Sequence, residues 1–281
     1  HPAEPATNRS VPTPKGKTIL GAVRSEATRL NRWTFTGIGA GLVALFALVG
    51  TAIAFIAAEG LLDGAAPAPG LGSIVDPATP QGIVAGLSMS ANMIGIVALS
   101  LWAAAAATDY STGWIRVMVQ AEPRRWRLLT GKFLALAGFT MVGTLIATVV
   151  SVAAAPMFAS ATEVSTELWS EGIIGTIAAG WVNLTIAVLV WGIIGFAVAT
   201  MTRSAVVAIS GGIGYMMVFE GMLGLAAEDA TTYLPGKVLS SIVAGGTVSL
   251  AYGAALALAA TYAVIGGAIA VYIFHRRDIT S

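Results

Sequence analysis

Long apolar runs alternate with short polar segments along most of this chain. A helix needs about 20 apolar residues to cross a bilayer, and six runs reach that length with at most one charged residue inside. In chain order the runs are 33–58, 83–107, 133–155, 172–200, 204–226 and 249–274. The pattern therefore predicts an all-α integral membrane protein with six transmembrane helices, called spans one to six below.

The positive charges indicate which side of the membrane each connecting segment faces. Fourteen of the 15 Lys and Arg residues lie before span one, between spans two and three, directly after span four or after span six. Only Lys237 lies in a segment on the other side of the membrane, between spans five and six. Because short cytoplasmic segments carry the excess of Lys and Arg, we predict that both termini lie in the cytoplasm. We expect a multi-pass protein of the bacterial cytoplasmic membrane.

Single-cysteine variants test this orientation. We expect cysteines placed at Ser73 and Ser165 to react with a membrane-impermeant thiol reagent on intact cells. Cysteines at Ser10 and Ser281 should react only after the membrane has been opened. The sequence has no native cysteine, so the parent chain measures the background directly. Labelling at Ser10 on intact cells, with protection at Ser73, would reverse the topology.

Composition excludes several classes of function. Charged residues make up 10% of the chain and the mean hydropathy is +0.82, whereas a soluble domain carries about 25% charge. A soluble enzyme is therefore excluded, and the net charge of +1 gives no basic surface for nucleic acid. Cysteine is absent and histidine occurs only as His1 and His275, so no thiolate or histidine cluster is available for a metal or for catalysis.

Motifs for ATP binding and for intramembrane proteolysis are also missing. The sequence contains no GxxxxGK(S/T) motif, whose backbone and lysine would bind the phosphates. The spans contain no histidine, no HExxH motif and no pair of aspartates, which serine, metallo- and aspartyl intramembrane proteases respectively require. We therefore expect no cofactor and no metal on this chain, and no enzymatic activity of its own.

The segments outside the spans are short. Residues 1–16 are rich in Pro, Ser and Thr and predict a flexible cytoplasmic tail. Residues 17–281 form the six-span domain, and 17–32 predicts an amphipathic interfacial helix that anchors on the membrane or also docks on a cytoplasmic partner. The segments outside the spans are each too short to bury a hydrophobic core of their own. We therefore expect any soluble catalytic domain to lie on another chain.

The segment between spans two and three, 109–132, has the most informative pattern. Four large apolar residues recur there at helical spacing and form one stripe: Tyr110, Trp114, Val117 and Met118. Pro123 ends this short helix, and a cluster of arginines follows it. The basic residues alone fit the inner membrane surface, but they do not account for an amphipathic helix between two spans.

This segment resembles the first cytoplasmic loop of type-2 ABC exporter permeases. The pattern reads D-Y-x-x-G-x-I-R-x-x-x-x-x-x-P-x-R-x-x-L-L-x-G-K, with Asp109 and Trp114 where family members usually carry Glu and Thr. The resemblance implies a coupling helix that docks on a separate ATP-binding subunit. The ATPase-coupling residues are then Asp109, Tyr110, Gly113, Trp114, Val117, Met118, Glu122, Arg124 and Arg125. It also implies re-entrant helices between spans five and six, where the apolar stretch after Pro235 fits one.

The resemblance implies the membrane subunit of an ATP-driven exporter for a hydrophobic or amphiphilic cargo such as a drug, a peptide antibiotic or a lipid. The complete exporter would contain a second permease chain, identical or related, in the lipid bilayer. It would also contain two ATP-binding cassette subunits, which bind ATP and Mg²⁺. The alternative is a six-span secondary carrier or channel independent of ATP, which predicts several polar residues at mid-membrane. A third interpretation is an assembly partner without its own transport path.

Glu220 is the only ionisable residue well inside a span. Such a residue is costly in a membrane and is a functional-site hypothesis by default. Glu220 is therefore a candidate for the transport pathway or a gate. The other interpretation is a structural carboxylate near the outer surface.

Glycine is frequent in the spans. Small residues let transmembrane helices approach closely, so we expect these glycines to mark helix contacts. The positions are Gly37, Gly41, Gly211, Gly212, Gly214, Gly266 and Gly267.

Overall fold

The computed structural model describes residues 33–62, 75–111, 125–226 and 228–276. Every regular element in these ranges is a helix, as the apolar pattern predicts. Six helical stretches are long and apolar enough to cross a membrane, which confirms the six predicted spans. They cover Gly37–Gly60, Pro80–Thr108, Leu129–Ala161, Ile173–Thr202, Ala205–Gly224 and Tyr252–Ile273.

Long helices form five spans, whereas span five is composite. The first four helices are α1 (Trp33–Leu62), α2 (Ala85–Ser111), α3 (Arg125–Ala161) and α4 (Ile173–Thr202). Span five consists of α5 (Ala205–Ile213), a π-helical segment (Gly214–Glu220) and α6 (Gly221–Ala226). Two short helices follow, α7 (Glu228–Thr231) and α8 (Pro235–Val243), and α9 (Tyr252–Arg276) forms span six.

Contacts between the long helices fix their relative directions. α2 and α4 are parallel, because Leu87 lies against Gly180 and Leu99 lies against Gly195, further along both helices. α1 and α3 are also parallel, as the pairs Thr51–Ser151 and Phe55–Phe158 show. α2 and α3 are antiparallel, as the pairs Trp102–Thr140 and Ala105–Lys132 show. Spans one and three therefore run opposite to spans two and four, as successive crossings require.

Spans two and four form the centre of the bundle. In their most apolar stretches 72% and 67% of the residues are buried, against 17–33% in the other four spans. The interface is close because glycines on α4 meet large side chains of α2. A Cβ atom added to Gly192 would lie 2.7 Å from Cε2 of Trp102, and one added to Gly195 would lie 2.9 Å from Cγ of Leu99.

Close packing accounts for only two of the seven glycines that the sequence analysis names. A Cβ atom added to Gly212 would lie 2.7 Å from Leu99, and one added to Gly266 would lie 3.1 Å from Ile193. The other five have no packing neighbour within 4 Å of that position, so the prediction is wrong for them within this chain. They are Gly37, Gly41, Gly211, Gly214 and Gly267.

Replacing Gly192 by leucine should destabilise the protein. The added side chain would collide with the indole of Trp102, and overpacking of this kind costs about 1–3 kcal/mol. The thermal midpoint of the purified full chain should fall. Gly175→Leu on the same helix is the matched control, because a Cβ atom there meets nothing within 4 Å. Equal midpoints for the two variants would contradict the close α2–α4 interface.

Buried hydroxyl groups also connect the long helices. The hydroxyls of Thr51 and Ser151 are 2.9 Å apart between α1 and α3, and those of Thr144 and Thr185 are 2.7 Å apart between α3 and α4. All four side chains are buried. Interhelical hydrogen bonds in membrane proteins contribute about 0.6 kcal/mol each on average, so these pairs fix helix register more than they add stability.

Three predicted elements lie wholly or mostly outside the residues that the structure describes. They are the tail 1–16, the interfacial helix 17–32, and the stretch 112–124 that contains most of the coupling pattern. Their secondary structure stays a prediction.

Candidate functional site

Helix α8 lies inside the bundle, in contact with α2, α4 and α9. Most of its nine residues are buried, although it is far too short to cross a bilayer. Backbone groups buried among apolar helices need hydrogen-bond partners within the protein. A helix leaves amides unpaired at its start and carbonyls unpaired at its end. These groups of α8 therefore need hydrogen-bond partners from elsewhere in the protein.

The local sequence determines where α8 begins and ends. Pro235 occupies the first helical turn, where its missing N–H is not needed and its fixed φ suits the helix. At the other end, Gly245 and Gly246 have φ values of 79° and 108°. The Gly246 N–H donates to the carbonyl of Ser241 at 2.8 Å, and the Gly245 N–H donates to that of Ile242 at 3.0 Å. This Schellman arrangement closes the helix.

Glu220 provides the amino-terminal cap that α8 lacks in its own sequence. The N-cap residue, Leu234, makes no side-chain hydrogen bond. Instead, Oε2 of Glu220 accepts a hydrogen bond from the Gly236 N–H at 3.1 Å, and Oε1 accepts one from the Lys237 N–H at 2.8 Å. The buried carboxylate thus meets unpaired amides and the positive end of the helix dipole together.

Glycine at position 236 makes this approach possible. A Cβ atom there would lie 2.6 Å from Oε2 and 2.7 Å from Oε1 of Glu220, which is too close for any side chain. Gly221, next to the carboxylate in sequence, has no packing neighbour within 4 Å of its Cβ position. Gly236 is therefore part of the carboxylate site, and the sequence analysis did not identify it. The sequence signal that could have identified it is the Pro235-Gly236 pair, because Pro favours the first turn of a helix and Gly leaves the backbone amides there uncovered by a side chain.

The carboxylate comes at the end of the π-helical segment Gly214–Glu220. A π-helical turn has one extra residue per hydrogen-bonded turn and is frequent at functional sites. Tyr215 and Phe219 stack within it, with ring centroids 5.6 Å apart. The wider turn changes the direction in which Glu220 leaves span five, relative to a regular α-helix.

Two tyrosines of α9 form hydrogen bonds from span six, one to the segment before α8 and one to span four. The hydroxyl of Tyr262 donates to the backbone carbonyl of Tyr233, just before α8. The hydroxyl of Tyr252 donates to Oδ1 of Asn183 on α4 at 2.6 Å. Span five, span six and α8 are thereby linked by side-chain to backbone hydrogen bonds around the start of α8.

The site is suited to anchoring a helix rather than to covalent chemistry. Each oxygen of Glu220 already binds one backbone amide. Within the ranges that the structure covers, no group of three or more His, Cys, Asp or Glu residues could hold a metal ion. A change at Glu220 would act on the position of α8 first.

The residues of the coupling pattern lie at the ends of two adjacent helices or beyond them. Asp109 and Tyr110 belong to the last turn of α2, and Arg125 begins α3. The remaining positions lie outside the described residues, namely Gly113, Trp114, Val117, Met118, Glu122 and Arg124. The structure therefore places the start of the pattern on α2 and its end on the neighbouring helix α3. The amphipathic helix that would carry the apolar stripe stays a prediction.

Lys132, which closes the coupling pattern, is buried. Its Nζ donates to the backbone carbonyl of Ala105 on α2 at 2.6 Å. This bond joins α2 and α3 close to the segment between them. The sequence predicted Lys132 as a cytoplasmic charge and as the end of the coupling pattern, but not its hydrogen bond, because its partner lies 27 residues away along the chain.

A family model with the description "Protein of unknown function (DUF2705)" matches residues 76–280, which is more than half of the chain. No curated protein matches the sequence. The matched region contains spans two to six, the coupling pattern, Glu220 and α8.

Proposed function

The chain belongs to that family of unknown function, and we propose that it is the membrane subunit of an ATP-driven type-2 ABC exporter. The observation that carries this proposal is the pattern from Asp109 to Lys132. It lies between two spans, with α2 ending at Ser111 and α3 beginning at Arg125. A short amphipathic helix there would be a rigid lever at the membrane surface, able to pass the motion of an ATPase to both spans.

The buried hydrogen bond from Lys132 to Ala105 supports this coupling role. It ties the start of α3 to α2, so a push on the intervening segment would move both helices together. α2 is also the most buried span, and its displacement would reach the centre of the bundle.

The short helix α8 supports the same proposal. It lies between spans five and six, is mostly buried and is too short to cross, which suits the re-entrant element that the resemblance implies. Glu220 then acts as a positioning residue that holds α8 against span five through the Gly236 and Lys237 amides. Opening of a path near α8 would require these two hydrogen bonds to lengthen or break.

A secondary carrier or channel is less well supported. Ion-coupled carriers need polar or ionisable groups at mid-membrane that can bind the coupling ion. The hydroxyl pairs of the bundle bind one another, and the oxygens of Glu220 bind α8. These groups hold the helices together, which favours energy supplied by ATP from outside the membrane domain. Among the described residues, Oδ1 of Asn92 in span two is buried without a hydrogen-bond partner, and this group favours the carrier alternative.

In this proposal the protein lies in the bacterial cytoplasmic membrane with both termini inside. It pairs with a second permease chain, identical or related, and with two ATP-binding cassette subunits that hold ATP and Mg²⁺. The apolar surfaces of the spans suit a hydrophobic or amphiphilic cargo. The chain itself has no enzymatic activity.

Affinity purification of the full chain from native membranes tests the proposal. We expect an ATP-binding cassette protein, encoded next to this chain, to co-purify in equimolar amount. The purified complex should hydrolyse ATP, and substitution of the partner's phosphate-binding lysine should abolish transport. If the chain instead purified without an ATPase and transported solute down an ion gradient, the carrier alternative would be correct. Purification without any transport by either route would favour the assembly-partner interpretation.

A further inference from the structure

A second feature of the bundle has no role in the proposed coupling. A cavity of about 320 Å³ lies among spans one to four. Its wall contains Gly39 and Val43 of α1, Ile94 and Ala98 of α2, Gly143 of α3, and Val188 of α4. In α2, α3 and α4 these residues lie close to the middle of the span, so the cavity lies at the depth of lipid tails rather than of headgroups.

Two glycines leave this space open. A Cβ atom added to Gly39 or to Gly143 would meet nothing within 4 Å. Small residues on transmembrane helices ordinarily permit close helix contact, whereas here the facing helices do not close over the glycines. The cavity is thus a recess between α1 and α3 that the core side chains do not fill.

The polar groups in the wall already have partners. Thr140 Oγ1 accepts a hydrogen bond from Trp102 Nε1 at 3.1 Å and donates to the Leu136 carbonyl at 2.9 Å. The Thr144 hydroxyl is paired with that of Thr185 at 2.7 Å. Water is held in a cavity only by two to four polar partners, and no polar ligand would find a free group here. The occupant therefore has to be apolar over the whole length that enters.

The occupant also has to be slender. Ile94, Ala98 and Val188 on the inner wall are buried, so the space of about 320 Å³ ends against the packed core of the bundle. Val142 at the rim is 58% exposed, which makes the rim accessible from the surrounding lipid. If the cavity were empty, the side chains that line it would lose dispersion contacts. A single hydrocarbon chain suits a space of about 320 Å³, whereas a helix about 10–12 Å in diameter is too wide for it.

We infer that this cavity binds one acyl chain of a membrane lipid, inserted between spans one and three against α2. The inference goes beyond the proposed function, because lipid binding here does not depend on an ATPase or on a cargo. The bound chain completes the packing of the bundle at mid-membrane. Its chemistry is that of an unbranched hydrocarbon, with the headgroup left outside the cavity.

Photolabelling of the full chain tests this inference. The protein is reconstituted in nanodiscs that contain a phosphatidylcholine with a diazirine at the middle of one acyl chain. After irradiation, labelled peptides are mapped by mass spectrometry. We expect label on Val97 and Leu101 of α2, which line the cavity and are only partly buried. Label on Val149 of α3, which is exposed and does not line the cavity, reports ordinary lipid contact in the same sample.

Leucine substitutions of the cavity glycines provide the decisive comparison. Gly143→Leu and Gly39→Leu should each remove the label from α2 and leave Val149 labelled. Gly138→Leu and Gly41→Leu are matched controls on the same two helices, because neither residue lines the cavity and both have open space at Cβ. Both controls should keep the α2 label.

Two results would overturn the inference. The first is no label on α2 in the parent chain, and the second is unchanged α2 label in both cavity variants. If α2 is unlabelled, efficient disulfide formation between copies of Val142→Cys in membranes would show that a second copy of the chain covers the recess.

Discussion

Glu220→Leu should prevent α8 from docking and reduce the yield of folded protein sharply. The leucine would leave the Gly236 and Lys237 amides without their acceptors, and each unsatisfied buried donor costs about 1–3 kcal/mol. Glu220→Gln should be milder, because its single carbonyl oxygen can still accept one of the two amides while its NH₂ group cannot. We expect Gln to retain most transport, with a lower thermal midpoint than the parent. Folded yield, thermal midpoint and transport are the measurements.

Gly236→Ala should also weaken the docking of α8, although Glu220 itself is unchanged. Its Cβ atom would lie 2.6 Å from Oε2 of Glu220, so α8 or Glu220 would have to move. Gly221→Ala is the matched control and should behave like the parent chain, because its Cβ position is open. If Glu220→Gln folded normally and lost all transport, the charge of Glu220 would be the essential property, and Glu220 would be a cargo or gating residue rather than an anchor.

Trp114→Ala should weaken assembly with the ATPase. In the proposed complex Trp114 is part of the apolar stripe that inserts into a groove of the partner. Tryptophan is enriched among residues whose removal costs about 2 kcal/mol or more at interfaces. A loss of that size lowers affinity by more than about tenfold. The measurements are the binding affinity for the purified ATPase and the ATP hydrolysis of the complex.

Gln120→Ala is the control for Trp114, since Gln120 falls on the opposite face of the predicted helix. It should leave affinity, hydrolysis and membrane insertion unchanged. Small and equal effects of the two substitutions would rule out the stripe as the docking surface. Loss of membrane insertion with Trp114→Ala would mean that the indole stabilises the permease itself, and the coupling role would then have to be assigned elsewhere.

The sequence by itself determined the number of spans and the helical class. Both depend on properties summed over neighbouring residues, namely the length and apolarity of each run and the high cost of an unpaired backbone in lipid. Glu220 interrupts an otherwise uncharged run in span five, but that pattern did not predict the π-helical segment that divides the span. The Pro235-Gly236 pair also indicated a helix start, though not what would cap it.

Only the tertiary structure decided which groups meet. Glu220 lies 16 and 17 residues before Gly236 and Lys237, whose amides it binds. The chain has to reverse direction between them before the carboxylate can bind these amides. The cavity depends on Gly39 and Gly143 from different helices, and no local pattern distinguishes a glycine in open space from Gly192, which is packed against Trp102. Helix formation is a local property of the chain, whereas helix contact, capping between elements and empty space are set by how the helices pack.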